Sequence, residues 1–187
     1  MDTLQELLED ELKDLFSAEN QLLKALPKMA KKAVTESLKS AILAHLAETE
    51  GQVERLTKIG RLMEIKLTGK KCKAMEGLVE EGKEILEEEG QSAVIDAALI
   101  GAAQRVEHYE IAAYGTAKAF AEQLGLTEVA ELLSETLDEE SAADEKLTSI
   151  SVDEVLPATE MSEEEDEEEQ EEQPKPRKKS AKKKARS

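Results

Sequence analysis

Apolar side chains recur every three or four residues along four long segments of the sequence, which is the spacing of helices that bury one face. The predicted long helices cover about residues 4–26, 35–63, 92–124 and 127–150. A shorter amphipathic helix is predicted over residues 75–88, between the second and third long ones. Aromatic residues make up only 2% of the chain, which further disfavours a sheet. We therefore expect an all-α, up-down helical bundle.

Three positions mark where the predicted helices end. Pro27 has no backbone N–H, so the first helix is predicted to end or kink at Leu26. Gly125 is well suited to cap the third long helix. Helical periodicity stops near Val152, and the bundle domain is therefore predicted to span residues 1–152.

Residues 153–187 are predicted to form a disordered charged tail, because their acidic and then basic sequence cannot bury enough apolar surface to fold. The acidic run covers residues 163–172 and the basic end covers residues 178–186. The net charge of −18 disfavours a general nucleic-acid or anionic-membrane binder. We expect nucleic acid to be bound, if at all, only weakly through the basic end.

The remaining composition narrows the class of protein. Cys72 is the only cysteine, which excludes an intrachain disulfide, and its basic polar surroundings predict a thiol without a role. No apolar stretch is long enough to span a membrane and no signal peptide precedes the first helix, so we expect a cytoplasmic protein. His108 is predicted to face outward or to meet a second subunit. We expect a homodimer without an organic cofactor.

Each long helix carries a glutamate at the middle of its apolar face, where a carboxylate is costly to bury without a partner. Residues three apart on a helix share a face, so Glu107 and Glu110 can direct their carboxylates to one point. Oxygen-rich sites with some imidazole suit iron or manganese. The candidate metal ligands are Glu19, His45, Glu48, Glu107, Glu110, Glu139 and Glu140.

Five stretches of the chain resemble the YciF/YciE-type bacterial stress proteins, and the similarity extends over about residues 3–151. They are residues 17–26 (SAENQLLKAL), 45–56 (HLAETEGQVERL), 71–78 (KCKAMEGL), 96–100 (DAALI) and 104–112 (QRVEHYEIA). The resemblance implies a ferritin-like bundle that is similar in fold to rubrerythrin and is associated with stress responses.

In rubrerythrin-like sites the third long helix supplies a Glu-x-x-Glu, which matches Glu107 and Glu110 here. By the same resemblance, the first two helices would supply Glu19 and Glu48, and the fourth would supply Glu139 or Glu140.

The sequence departs from the usual di-metal carboxylate pattern, in which two helices each carry a Glu-x-x-His. The histidines would fall at position 51 and at 142 or 143, where this chain has Gly51, Ala142 and Ala143. His45 instead lies three residues before Glu48, and it can turn back toward the same face.

Two functions follow from these observations, and the sequence leaves both open. The first is a stress protein that holds one or two iron or manganese ions inside the bundle and handles iron, peroxide or oxygen. The second is a metal-free bundle that acts as a structural or interaction module through its surface and charged tail. No catalytic residue is assigned, and whether the protein is an enzyme stays open.

Overall fold

The computed structural model describes residues 1–160, which form four long helices and one short helix. The helices are α1 (Leu4–Lys32), α2 (Glu36–Leu62), α3 (Lys73–Glu87), α4 (Ser92–Gln123) and α5 (Thr127–Ile150). No strand occurs within residues 1–160. The predicted all-α bundle, with its short helix between the second and third long ones, is confirmed. Over the same residues, no helix combines the length and apolar character that a membrane crossing requires.

The helix α1 does not end at Pro27, so that part of the prediction is wrong. It continues to Lys32 with the exposed proline inside it. Proline removes one helical hydrogen bond. Packing outweighs this loss, because Met29 and Ala30, which follow the proline, are buried in the core.

The last helix also continues past Val152, where the helical periodicity of the sequence stops. Ser151–Val155 form a π-helical turn and the chain stays helical to residue 160. A π turn bonds residues five apart, so it returns Val155 to the face of Ile150, and both are buried. An ordinary α-helical pattern cannot reveal this step. The predicted acidic run and basic end lie outside the described residues.

A polar layer divides the interior into two apolar cores. The first core contains Leu22, Leu38, Leu99 and Leu147, and the second contains Leu12, Leu56, Tyr114 and Leu133. The buried polar residues between them are Glu19, His45, Thr49, Gln52, Glu107, Glu110, Thr136 and Glu140. The buried glutamates of α1, α4 and α5 therefore share one layer with His45 of α2, as the mid-helix positions in the sequence predicted.

The connection between α2 and α4 carries the chain from one core to the other. Leu67 lies in the second core, whereas Met75 at the start of α3 lies in the first. Both α2 and α4 therefore run from the first core to the second. A bundle with one such long crossover is the arrangement found in ferritin-like folds.

Two buried side chains fix helix ends in ways that the sequence pattern did not predict. The carboxylate of Asp96, on α4, accepts the backbone N–H groups of Val34 and Thr35 before α2, with shortest distances of 3.1 and 2.7 Å. The sulfur of Cys72 accepts the N–H of Met75 at 3.3 Å and so caps α3. Each contact satisfies backbone donors that a helix start leaves free.

The prediction that Cys72 has no role is wrong, because its side chain is fully buried. Its sulfur lies 3.0 Å from the hydroxyl of Tyr109, which donates to Asp14 at 2.7 Å. A phenol has one proton to donate, so the thiol is the donor to Tyr109. This chain of contacts ties α3 to α4 and α1.

The predicted cap at Gly125 is confirmed. Its φ of 71° is in the left-handed region, and the next residue, Leu126, donates to the carbonyl of Ala121 at 2.9 Å. This is the bonding of a glycine-capped helix end.

Candidate metal centre

Four of the predicted ligands converge inside the polar layer. His45 comes from α2, Glu107 and Glu110 from α4, and Glu140 from α5. Each offers one ligand atom, and these atoms all lie within 4.8 Å of one another. All four residues are buried. Glu140, rather than its neighbour Glu139, is the α5 residue that faces this cluster.

The imidazole of His45 turns back toward the centre of the bundle. Its Nε2 lies 3.4 Å from Glu107 and 3.8 Å from Glu140, and its Nδ1 lies 3.5 Å from Glu48. Burial lowers the pKa of His45, but the nearby carboxylates of Glu48, Glu140 and Glu19 raise it by more. The net shift is upward, so the surroundings of this imidazole favour a positive charge.

Several carboxylate oxygens in the layer lack any hydrogen-bond partner among the described residues. They include both oxygens of Glu110, both of Glu140, and Oε2 of Glu107 and of Glu19. Buried polar atoms are normally hydrogen-bonded, and leaving them unpaired is costly. A proton or a cation between these oxygens would remove that cost.

Burial makes ionisation of these carboxyl groups unfavourable. It raises the pKa of Glu19 and of Glu107 to about 8 and that of Glu140 to about 9. It also raises the pKa of Glu110 well above the usual range. Neighbouring carboxylates add to each shift through like-charge repulsion. Without a cation, the layer therefore retains protons at neutral pH.

Glu19 is buried beside the four-residue cluster and is held by Tyr114. The tyrosine hydroxyl, itself fully buried in α4, donates to Oε1 of Glu19. The second oxygen of Glu19 is unpartnered, which leaves it available to a cation.

Two predicted ligands, Glu48 and Glu139, lie outside the cluster. The side chain of Glu48 is 46% exposed. Arg55 donates to both oxygens of Glu139 at 2.7 and 3.0 Å, and Gln52 donates at 3.0 Å. Burial would raise the pKa of Glu139, but these donors lower it. Glu139 therefore links α5 to α2 through these hydrogen bonds.

Arg55 is the residue of this site that sequence reasoning missed. It also donates to Thr136 at 2.7 Å and to Glu135 at 3.1 Å. The available signal was its spacing, since Arg55 follows Glu48 by one heptad and so lies on the same helix face. His108, by contrast, is exposed as predicted.

The donor set of the cluster fits a hard or borderline divalent cation. It offers three carboxylates and one imidazole, with Glu19 beside them, and such oxygen-rich sets suit iron and manganese. Gly51 and Ala143, at positions where a second imidazole would be expected, supply no ligand. The residues present therefore fit an oxygen-dominated site with one histidine.

Comparisons with known proteins agree with this architecture. The family described as "Domain of unknown function (DUF892)" matches residues 3–160. The chain is 48% identical to Protein YciF of Escherichia coli over 156 residues, covering 83% of this chain and 94% of that protein. The crystal structure of the E. coli stress protein YciF superposes with a TM-score of 0.79, covering 81% of this chain and 96% of the other.

Two further solved structures extend the comparison. YcfI from Rhodopseudomonas palustris is 41% identical, with a TM-score of 0.78 over 81% of this chain and 97% of that one. Ferritin-like, diiron-carboxylate proteins from Bacillus anthracis are 15% identical, with a TM-score of 0.63 over 81% of this chain and 99% of theirs, a similarity of fold alone. The chain therefore belongs to the DUF892 family of YciF-type stress proteins, and its fold is ferritin-like.

Proposed function

We propose that this stress-protein homologue binds a divalent metal ion in the polar layer, through His45, Glu107, Glu110 and Glu140. The observation that carries the proposal is the convergence of four buried ligand atoms within 4.8 Å of one another, with carboxylate oxygens left unpartnered. Glu19 would support the same ion or a second one with its free oxygen. A cation there replaces the protons that the buried carboxyl groups otherwise retain.

Iron or manganese is the preferred occupant, because the site offers mainly carboxylate oxygen. When bound, either ion supplies redox cycling with peroxide or oxygen. The protein's own residues hold the ligand geometry. Tyr114 fixes Glu19 from α4, and Arg55 keeps Glu139 away from the centre. The two apolar cores limit the entry of water from above and below the layer.

A metal-free structural module is the second candidate, and one observation favours it. His45 lies within 3.8 Å of two buried carboxylates, so a protonated imidazole can balance part of their charge without a metal. The buried carboxyl groups would then stay protonated. Under this alternative the protein acts through its surface and charged tail.

Metal analysis and thermal melting separate the two candidates. Protein purified without chelators or a metal-binding tag should contain iron or manganese. Added Mn²⁺ at about 100 times its Kd should stabilise the fold by about 2.7 kcal/mol, which corresponds to roughly 5–11 °C in Tm for a domain of this size. The variant Glu107→Gln should lose most of that shift. In the chelated state it should be as stable as the wild type or more so, because an amide removes like-charge repulsion.

The matched control is Glu131→Gln, the same change at an exposed position of α5. It should keep the full metal-dependent shift. If no divalent ion moves the melting temperature of the wild type, the metal site is refuted and the structural module is favoured. A homodimer and a cytoplasmic location remain predictions, and sedimentation and cell fractionation test them.

A further inference from the structure

An open cleft of about 420 Å³ runs between α2 and α5 and reaches the polar layer. Its floor consists of buried apolar residues from three helices, namely Leu26, Ile42 and Ala103. His45 and Glu107, both part of the proposed metal site, line its inner end. The cleft therefore connects solvent directly to the cluster.

Small side chains create this opening. Ala44 lines one wall, and Ala142 and Ala143 line the other. Ala143 lies three residues after Glu140, where the usual di-metal carboxylate pattern would place a histidine, and Ala142 is its neighbour. The space that an imidazole would fill is part of the cleft instead. The metal site thus lacks a protein ligand on the side where the bundle is open.

The same two helices are closed on the other side of the layer. There Arg55 on α2 reaches across to Glu139 and Thr136 on α5 with bonds of 2.7 Å. The opening is therefore confined to the half of the bundle that contains the first apolar core. Among the described residues, this cleft gives solvent a route to the cluster between α2 and α5.

The size and lining of the cleft indicate the class of molecule that it accepts. A volume of about 420 Å³ lies in the range of small-molecule sites, and it equals roughly 14 water molecules. Dioxygen or hydrogen peroxide alone would leave most of it empty. Its floor favours an apolar body, and the exposed Lys146 at its rim is a positive charge that an anion meets on entry.

We propose that the cleft binds a small organic carboxylate, with its head at the cluster and its apolar tail along the floor. This inference rests on the proposed metal site, because a bound cation beside Glu107 is the partner that would hold the carboxylate head at the inner end of the cleft. If a cation were bound, the carboxylate would supply an oxygen ligand in place of the one that the chain omits at Ala143. Binding of the carboxylate therefore requires the metal.

Calorimetry with straight-chain carboxylates tests the proposal. Mn²⁺ is first titrated into the protein, and acetate, butyrate, hexanoate and octanoate are then titrated into the loaded form. Affinity should rise by about fourfold for each added CH₂ that is buried, and it should level off once the tail leaves the cleft. Octanol, which has the same tail without the charge, should bind the loaded protein at least tenfold more weakly than octanoate. The chelated protein should bind octanoate at least tenfold more weakly than the loaded one.

Two variants fill the cleft from opposite walls. Ala44→Leu and Ala142→Leu each change an exposed position, so the bundle should fold in both. Each should weaken octanoate binding at least tenfold while the Mn²⁺ affinity stays within about twofold. Ala119→Leu, at an exposed position of α4 outside the cleft, is the control and should bind octanoate like the wild type.

The outcomes separate the two proposals. If Mn²⁺ binds but affinity does not depend on chain length, or if neither cleft variant affects octanoate, the carboxylate site is refuted and the metal site stands. If Mn²⁺ and the other divalent ions fail to bind, the metal site is refuted and this inference fails with it.

Discussion

Replacing Glu140 with Gln should flatten the pH dependence of stability in the chelated protein. Burial raises the pKa of Glu140 from an ordinary value of 4.5 to about 9 in the folded chain. Between these two values the unfolded chain has released the proton and the folded chain still holds it. Stability from this group is therefore complete below pH 4.5 and falls as the pH rises toward 9. The amide of the variant does not titrate, so this contribution disappears.

The magnitude follows from the difference of one bound proton. Each such proton changes the free energy of unfolding by about 1.4 kcal/mol per pH unit. Between pH 6 and pH 8 the wild type should therefore lose about 2.7 kcal/mol more than Glu140→Gln. For a domain of this size, the Tm of the wild type should therefore fall roughly 5–11 °C further than that of Glu140→Gln between pH 6 and pH 8. His45 and the other buried carboxyl groups remain in both proteins, and each interacts with Glu140, so the difference between the two proteins reports Glu140 together with its effect on these neighbours.

Thermal and urea unfolding at pH 6, 7 and 8, with chelator present throughout, measure the slope of the free energy of unfolding against pH in the wild type and in Glu140→Gln. Glu131→Gln makes the same chemical change at an exposed position of the same helix, and its slope should equal that of the wild type. Parallel slopes for the wild type and Glu140→Gln would show that Glu140 holds no extra proton in the fold. Burial would then not govern the protonation of the polar layer.

Three further predictions concern contacts outside the cluster. Asp96→Ala should lower the free energy of unfolding in urea by about 1–3 kcal/mol, because the N–H groups of Val34 and Thr35 lose their acceptor. Asp96→Asn keeps one acceptor oxygen and should lower this free energy by less. Equal losses in the two variants would count against the capping role. The buried thiol of Cys72 should react with an aromatic disulfide reagent only on unfolding, and rapid reaction under native conditions would contradict its burial. Removal of residues 161–187 should leave Tm nearly unchanged, whereas a large fall would show that the tail packs on the bundle.

The helical period of the sequence carried most of the information about the fold. Leucines at steps of three and four defined the four long helices, and Gly125 marked one of their ends correctly. The predicted helix end at Pro27 was wrong, because burial of Met29 and Ala30 further along the helix outweighs the tendency of proline to end a helix. The cap that Asp96 provides to α2 joins residues about sixty positions apart, and no local pattern reveals such a contact.

The sequence predicted the level of the candidate site along the bundle, but not which side chains of each helix face inward. The periodicity placed glutamates of all four helices at one level, and the structure brings Glu107, Glu110 and Glu140 together there. Which neighbour on α5 faces inward depends on how that helix is rotated against its partners, and one residue step turns a side chain by about 100°. The way α2 is rotated about its own axis likewise exposes Glu48 and turns His45 inward. Packing sets these angles, and a single sequence does not reveal them.

The polar layer has a consequence for the way the bundle opens. Each apolar core gathers side chains from α1, α2, α4 and α5, so either core could stay packed while the other loosens. Proteins open locally in cooperative units that have their own free energies. We therefore expect amide hydrogens on the two sides of the layer to exchange as two groups rather than one. An ion held by ligands from α2, α4 and α5 would stabilise the boundary between them, and the two groups would then exchange as a single unit.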